Sequence, residues 1–438
     1  MVNHILLDAM DFQAAKRYLD ELEMFGMKLG LDNMKKLMLA LGEPMKGRKV
    51  VHVAGTVGKG SISSMIASVL TETGKKTGLY TSPHIRTILE RIVVDRAHIS
   101  ETDFVRLLEK VKAVADTMDP KPTFFEVTTA LAFLYFEENA VDYAVIEVGM
   151  GGRLDATNVL TPVLTVITTV DMEHVQYLGN TLTDIAREKA GIIKDKVPVV
   201  IGEMKDEALD IIEGIAKIRN SPVIKRSKSR VVTTDERGMD MIITDPDGRL
   251  FKIHIDTYGR FQANNAALAI SALEALGIKE TKWVERGIEK VSQFLRGRLE
   301  RVNNDPPVYV DVGHNPISME KLTLSLHTLP GSSSGQDIVL VMGILADKDH
   351  KGMMRAIAAG CNRVYICKPR TKRAGDPAKP ALEAEKVCED VIIVEDVKEA
   401  VKAAMGHAKA LGGIVCVTGS FYTVSEAMDL FSPMEKRL

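Results

Sequence analysis

The sequence predicts an α/β protein of two domains, each built on a mostly parallel sheet. Three observations carry that prediction. A short β-branched run at residues 49–53 (KVVHV) stops at glycine and gives way to a helical pattern, so strand, glycine loop and helix follow in order. Apolar strand-like runs then alternate with helical patterns through residue 219. Beyond Arg296 the alternation restarts, in a chain whose 438 residues suffice for two or three domains with sizeable cores.

Composition narrows the function. Hydrophobic residues make up 45% and charged residues 26%, ordinary for a soluble globular protein. A formal net charge of −2 argues against nucleic acid as an obligate partner, so any phosphate binding must be local. Cys361, Cys367, Cys388 and Cys416 show no C-x-x-C spacing and read as reduced core residues, which suits a cytoplasmic location. The N-terminal segment has acidic residues early and no continuous apolar stretch, so no signal peptide is expected. No run approaches the roughly 18 apolar residues of a membrane span. The 21 methionines read as core packing.

Residues 11–42 read as helices, with Ala14, Leu19, Leu22 and Phe25 and then Met34, Leu37, Met38 and Leu41 on their apolar faces. After the first strand come Gly55, Gly58, Lys59, Gly60 and Ser61, and then Ile62, Ile66, Val69 and Leu70 at helical spacing. Glycines let successive backbone N–H groups turn toward one anion, and a helix N-terminus adds partial positive charge. Lys59 would reach the outer phosphates of a nucleotide and Ser61 could place its hydroxyl on Mg²⁺. The loop is shorter than a strict GxxxxGK[ST], and Gly60 separates the lysine from the serine. A glycine-rich turn with an exposed lysine is the alternative, which the flanking strand and helix disfavour.

Residues 77–81 form a second strand ending in Ser82-Pro83-His84. A serine at a strand's carboxyl end is well placed for a ligand in an open α/β sheet, and a simple Ser-Pro turn fits equally. Glu90-Arg91-Ile92 opens an extended piece, Ser100 caps a helix through Val111, and Phe124-Phe125-Glu126 leads into a buried helix. Residues 142–148 (DYAVIEV) form a central strand with Glu147 near its end, followed by Gly149, Gly151 and Gly152. A carboxylate in an apolar strand needs a partner, so Glu147 reads as a Mg²⁺-linked group or as half of a structural ion pair. Residues 163–170 form another strand, with Asp171, Glu173 and His174 beyond it. Thr181 caps a helix at 181–193, where Lys189 reads locally as a solvated lysine.

A strand at 198–202 and a helix at 208–219 follow. Residues 222–256 alternate in short pieces joined by DERG and DPDG, the pattern of a meander inserted at the edge of the first domain. Residues 261–276 return to helix, and 296–300 (RGRLE) read as a hinge. The second domain then shows about five strands (VYVDV, DIVLVMGI, RVYICK, VIIVE, IVCVTG), with helices near 319–329 and 353–359 and a flexible surface loop at 331–335.

Read together, FGMKLGLDNM, HVAGTVGKGS, TSPHI, ERI, EVGMGGRLDATNV, YLGNTLTDIAREKAGIIK, FLRGRLE, DVGHNP and TGSFYTVSEA resemble the folylpolyglutamate synthase and dihydrofolate synthase family of the Mur ligase superfamily. The matching pieces run in order from about residue 18 to 427. The resemblance implies a P-loop, Mur-ligase-type ATP-binding domain at 1–296 and a smaller Rossmann-like glutamate-ligase domain at 297–438. It implies ATP, two Mg²⁺ ions, L-glutamate and a folate or other pterin as ligands, with the chain acting as a monomer. ATP would phosphorylate a substrate carboxylate, and the amine of glutamate would attack the acyl phosphate while closure of the two domains excludes water.

By motif position, Gly58, Lys59, Gly60 and Ser61 match the family's phosphate loop, and Ser61, Ser82, Glu147 and His174 its Mg²⁺ ligands. Lys189 matches a lysine that the family carbamylates, which reverses its local reading. Asn265, Arg298 and Asp311 match adenine-, phosphate- and ribose-contacting positions, so ATP is expected to bridge the domains. His314 matches a position near the glutamate site, although a turn histidine before Asn-Pro is the plain alternative. Phe125, Glu126, Leu154, Asp155 and Ala156 match segments lining the pterin site. The sequence departs from the family at Val57, Leu89, Val312 and Glu173, where Asn, Asn, Gly and Asp are usual. A ligase acting on a non-folate acid, such as another pterin, is the first competing expectation. A nucleotide-binding regulatory protein without catalysis is the second.

Overall fold

The computed structural model describes residues 10–23, 29–330 and 337–431; Phe25 and the loop expected at 331–335 lie outside them. The chain divides into two compact units, Met1–Lys225 with Ser271–Ile278, and Arg226–Ile270 with Lys279–Leu438.

The first unit is built on an 8-stranded sheet in the order β4-β3-β2-β5-β1-β6-β7-β8. Its strands are β1 (Lys49–Ala54), β2 (Thr77–Tyr80), β3 (Ile92–Val94), β4 (Ala97–His98), β5 (Tyr143–Glu147), β6 (Leu164–Ile167), β7 (Val199–Ile201) and β8 (Val223–Ile224). From β2 to β8 all neighbours are parallel, while β3 and β4 add an antiparallel edge. Both faces are covered, which is why β1 and β5 read as unbroken apolar runs. On one face, Phe12–Glu23, Asp32–Ala40, Glu101–Ala115 and Phe124–Glu138 pack their Leu19, Met34, Leu37, Phe104 and Phe133 against Val50, Tyr80 and Ile146. In the first of these helices Leu19 and Leu22 are buried as expected, with Ala15 rather than Ala14 beside them. Elsewhere Ile167, Val199 and Ile201 join a core with the helices Leu182–Ala190 and Asp206–Ile218.

Local signals fix the helix starts. Ser100, Thr123 and Thr181 each accept a hydrogen bond from the backbone N–H three residues on. Glu90 and Arg91, expected in an extended piece, lie instead in a single 3₁₀ turn, Ile88–Arg91. The Glu90 carboxylate accepts from Ile85 N (2.8 Å), Arg86 N (3.0 Å) and Thr87 N (3.0 Å), and that cluster of donors bends the chain before β3 begins.

The second unit holds two sheets. β9 (Lys228–Asp235), β10 (Gly238–Thr244) and β11 (Leu250–Ile255) form the antiparallel meander. β12 (Arg298–Asn304), β13 (Pro307–Asp311), β14 (Ile338–Met342), β15 (Arg363–Ile366), β16 (Val391–Ile393) and β17 (Ile414–Thr418) form a 6-stranded sheet in the order β12-β13-β17-β14-β15-β16. All its pairs are parallel except β12 with β13. The segment expected to be a hinge therefore enters a strand, bent where Leu299 takes a left-handed conformation (φ +51°). The meander groups with this second unit by its contacts. Tyr258, just beyond β11, meets the Tyr309 ring edge-on at 5.3 Å, and Lys252 N donates to Glu285 on the helix Thr281–Glu289. Among the described residues no helix is long and apolar enough to cross a membrane.

Candidate active site

The strands β2, β5, β1 and β6 are parallel neighbours, so their carboxyl ends share one edge of the sheet. That edge is where open α/β sheets bind ligands. Each of the four strands delivers part of the expected set.

β1 runs into the phosphate loop. A Cβ on Gly55 (φ +149°) would stand 1.9 Å from Thr168 Oγ1, so only glycine lets the loop pass beside the end of β6. Thr168 Oγ1 donates to Val57 O (2.7 Å), and Val57 N donates to Thr169 Oγ1 (3.1 Å), which pins the loop from that side. Gly58 is left-handed (φ +87°) at the start of the helix Lys59–Glu72, and no side chain caps that helix. Lys59 Nζ donates to Gly55 O (2.9 Å) and Thr56 O (3.3 Å). Gly60 and the buried Ser61 sit in the same first helical turn.

β2 and β5 are tied at their ends. Ser82 N donates to Glu147 Oε2 at 2.9 Å, and Glu147 is buried as the last residue of β5. Past β6, His174 is left-handed (φ +46°) at the head of the short helix Val175–Leu178. Lys189, locally a solvated lysine by its sequence, is only 1% exposed. Its Nζ donates to Glu173 Oε1 at 2.5 Å. Burial pulls the Lys189 pKa below that of free lysine, more than Glu173 restores it. Burial also acts to raise Glu173, but the charges of Lys189 and Lys59 outweigh it and hold that carboxyl at about 2. Lys59, Glu173, His174 and Lys189 therefore sit within electrostatic reach of one another.

The glycine loop after β5 presses on the helix that carries Lys189. A Cβ on Gly152 would lie 2.8 Å from Glu188 O and 2.9 Å from Lys189 O, and one on Gly191 would lie 2.3 Å from Arg153 Cβ. Asn158 Nδ2 staples the contact, donating to Arg153 O (3.0 Å) and Gly191 O (3.1 Å). Phe125 lies over Gly149, where a Cβ would come within 2.5 Å of the ring. Glu126 and Asp155 use their carboxylates on the backbone. Glu126 Oε2 accepts from Thr123 N (2.8 Å), and Asp155 accepts from Thr157 N (3.0 Å) and Met150 N (2.9 Å). Leu154 is half-buried and Ala156 buried beside them.

In the second unit Arg298 and Asp311 pair across β12 and β13. Asp311 accepts from Leu299 N (3.0 Å) and Gly313 N (2.8 Å), while burial, opposed by Arg298, raises its pKa to about 6. The Arg298 guanidinium lies 5.4 Å from the Phe421 ring centre and the His314 ring 5.7 Å from it. His314 Nδ1 must carry its proton, because its partner at 3.0 Å is the Val312 carbonyl. Asn265 stands on the helix Arg260–Ala275, donating to Gln262 Oε1 (2.9 Å).

Among the described residues no three His, Cys, Asp or Glu side chains cluster tightly enough to hold a metal. The expected set supplies two such side chains, Glu147 and His174, and depends on the hydroxyls of Ser61 and Ser82 for further oxygens. Oxygen donors suit Mg²⁺, and an uncapped helix end beside them suits phosphate, so the residues fit a metal–nucleotide. Three groups were not assigned from the sequence: Glu173, the Thr168–Thr169 pair and His84, whose Nδ1 accepts from Arg91 Nε (2.9 Å). An acidic residue beside His174 and two hydroxyls at a strand end were the available signals.

Residues 53–273 match the Mur ligase middle domain and residues 297–421 the Mur ligase glutamate ligase domain. Over 428 residues the chain is 35% identical to the dihydrofolate synthase/folylpolyglutamate synthase of Bacillus subtilis, covering 95% of this chain and 98% of that protein. The chain belongs to the folylpolyglutamate synthase/dihydrofolate synthase family. As a member of that family of Mur ligases it is an ATP-dependent carbon–nitrogen ligase. The folylpolyglutamate synthase of Mycobacterium tuberculosis, solved with ADP and AMPPCP, superimposes with a TM-score of 0.88 at 29% identity, over 96% of this chain and 99% of that one. The bifunctional folylpolyglutamate synthase/dihydrofolate synthase of Yersinia pestis, solved with AMPPNP and a Mn ion, gives 0.82 at 26% identity, over 96% and 98%.

Proposed function

We propose that this ligase joins L-glutamate to a folate-type acid, either dihydropteroate or the γ-carboxyl of a folate, through an acyl phosphate. The supporting observation is one shared sheet edge: Lys59 opens the helix after β1, Ser82 beyond β2 donates to Glu147 at the end of β5, and Glu173 beyond β6 accepts from the helical Lys189 and feels the charge of Lys59. Gly58, Gly60 and the helix end behind them cradle the phosphates of ATP, and Lys59 leaves its loop carbonyls for the outer ones. Asn265, Arg298 and Asp311 contact adenine, phosphate and ribose. Two Mg²⁺ ions would be held by Ser61, Ser82, Glu147 and His174 together with a carbamylated Lys189, and when bound they offset the charge that builds on the transferred phosphoryl group.

Phe125, Glu126, Leu154, Asp155 and Ala156 line the acceptor side, Glu126 and Asp155 by holding the backbone in shape. The acceptor carboxylate takes the phosphoryl group, the glutamate amine attacks the acyl carbon, and the tetrahedral adduct expels phosphate to leave an amide. His314 stands beside the incoming glutamate, in the glutamate-ligase domain at 297–438. Burial of Lys189 favours its neutral amine, the form whose lone pair attacks CO₂, forming an N–C bond and releasing one proton.

The test is ADP release with ATP and L-glutamate against a panel of acceptors. Dihydropteroate or a reduced folate should stimulate it. Stimulation only by a non-folate acid would overturn the acceptor assignment.

A further inference from the structure

His52 lies inside β1, the strand that leads into the phosphate loop, and it is 0% exposed. A fully buried imidazole in a β-branched run requires a partner. Its Nε2 is 2.9 Å from Thr157 Oγ1, and Thr157 Oγ1 is in turn 2.5 Å from Asp155 Oδ1. Asp155 also accepts from the backbone N–H groups of Thr157 and Met150, so its carboxylate acts purely as an acceptor. The single hydroxyl proton of Thr157 therefore points at Asp155, and His52 must supply the proton on the other link. That fixes the tautomer with hydrogen on Nε2. Nδ1 is left as a buried nitrogen with no hydrogen-bond partner. Burial, aided by the charge of Lys194, depresses the His52 pKa to about 3, so the ring stays neutral.

The three side chains thus form one polarised line from β1 to the loop at 149–157. Asp155 ties the start of that loop to its end, and Thr157 meets β1 only through His52 in this line. We propose that His52 is a positioning residue for the acceptor site, holding the 149–157 loop at a set distance from the strand that carries the phosphate loop. The proposal rests on the reading that Leu154, Asp155 and Ala156 line the acceptor side. An orphaned buried nitrogen is itself destabilising, so an apolar residue at position 52 sacrifices the relay without weakening the core much.

Four variants decide the matter: His52→Leu, His52→Gln, Thr157→Val and Asp155→Asn. Each is melted and assayed with dihydropteroate varied, and again with ATP varied. Misplacement of a reacting group by about 1 Å can lower activity about 100-fold, so we expect the KM for dihydropteroate to rise roughly tenfold or more in His52→Leu and Thr157→Val, with the KM for ATP within about twofold. His52→Gln, whose amide N–H reaches the ε position, should return dihydropteroate KM close to that of the parent. Melting temperatures should change little in the two His52 variants, whereas Thr157→Val, which strands the buried His52 N–H, should melt lower by the cost of one unsatisfied donor. If Asp155→Asn raises the dihydropteroate KM while His52→Leu and Thr157→Val leave it unchanged, the positioning role is wrong and the acceptor reading stands. If Gln behaves like Leu and both melt early, His52 is structural only. If Asp155→Asn has no effect either, the acceptor reading falls and takes this proposal with it. Should His52→Leu not fold, Thr157→Val breaks the same line and decides between these outcomes.

Discussion

Replacing Lys189 by methionine removes one charge of a buried pair and strands the other. The two side chains are 1% and 9% exposed, so water does little to screen the loss. Glu173 is held at about 2 against an ordinary 4.5, because Lys189 and Lys59 more than offset the effect of burial. Burial lowers the pKa of Lys189 itself and Lys59 shares in holding Glu173 down, so only part of that depression is stability owed to the pair. Breaking a buried pair by removing one partner costs about 3–5 kcal/mol, and the low end, about 3 kcal/mol, applies here. For a carboxyl with a depressed pKa, this stability is fully present above 4.5 and is lost as the pH falls toward about 2. At about 2–4 °C per kcal/mol, Lys189→Met should melt about 6–12 °C below the parent at neutral pH. Once its partner is gone, burial pushes Glu173 upward, so the gap should narrow steadily as the buffer is acidified from neutrality. Calorimetry across a pH series in CO₂-depleted buffer, where Lys189 remains an amine, measures this directly. Equal melting at neutral pH, or a gap that ignores pH, would refute the reasoning.

Lys189→Ala should lower glutamate-dependent ADP release by about 100-fold or more, and short carboxylic acids should restore part of it by standing in for the carbamate. Full turnover in the alanine variant would exclude that role. Gly191→Ala forces a Cβ to 2.3 Å from Arg153 Cβ, and overpacking of this kind destabilises by about 1–3 kcal/mol, readable by urea titration. Gly214→Ala is the opposite case. Its Cβ would meet nothing within 4 Å inside the helix Asp206–Ile218, so the variant should gain about 0.5–1 kcal/mol in the same titration.

The parallel strands were legible because strands covered on both faces read as β-branched runs, and β1, β5, β14 and β17 lie where those runs stand. β12 was not. RLERVNN mixes charge with apolar residues, and two register shifts bend the strand, so no alternation marks it. The meander was recognised as such, but its allegiance to the second unit turns on the Tyr258–Tyr309 contact, which no local pattern announces. The phosphate loop could be read from its own residues. Lys189 could not, since its partner Glu173 is 16 residues away and its burial comes from tertiary packing; only family resemblance singled it out. His52 left a visible trace, a polar ring in an apolar strand, but its partner 105 residues later belongs to another element.

Gly152 and Gly191 allow two stretches of main chain to touch with no side chain between them. For protein engineering this makes residues 149–158 a poor unit of exchange. Grafting the corresponding segment from another ligase to change acceptor preference would displace the helix Leu182–Ala190 and carry Lys189 out of register. Point substitutions at Leu154 or Phe125 leave that seam intact and are the better starting library.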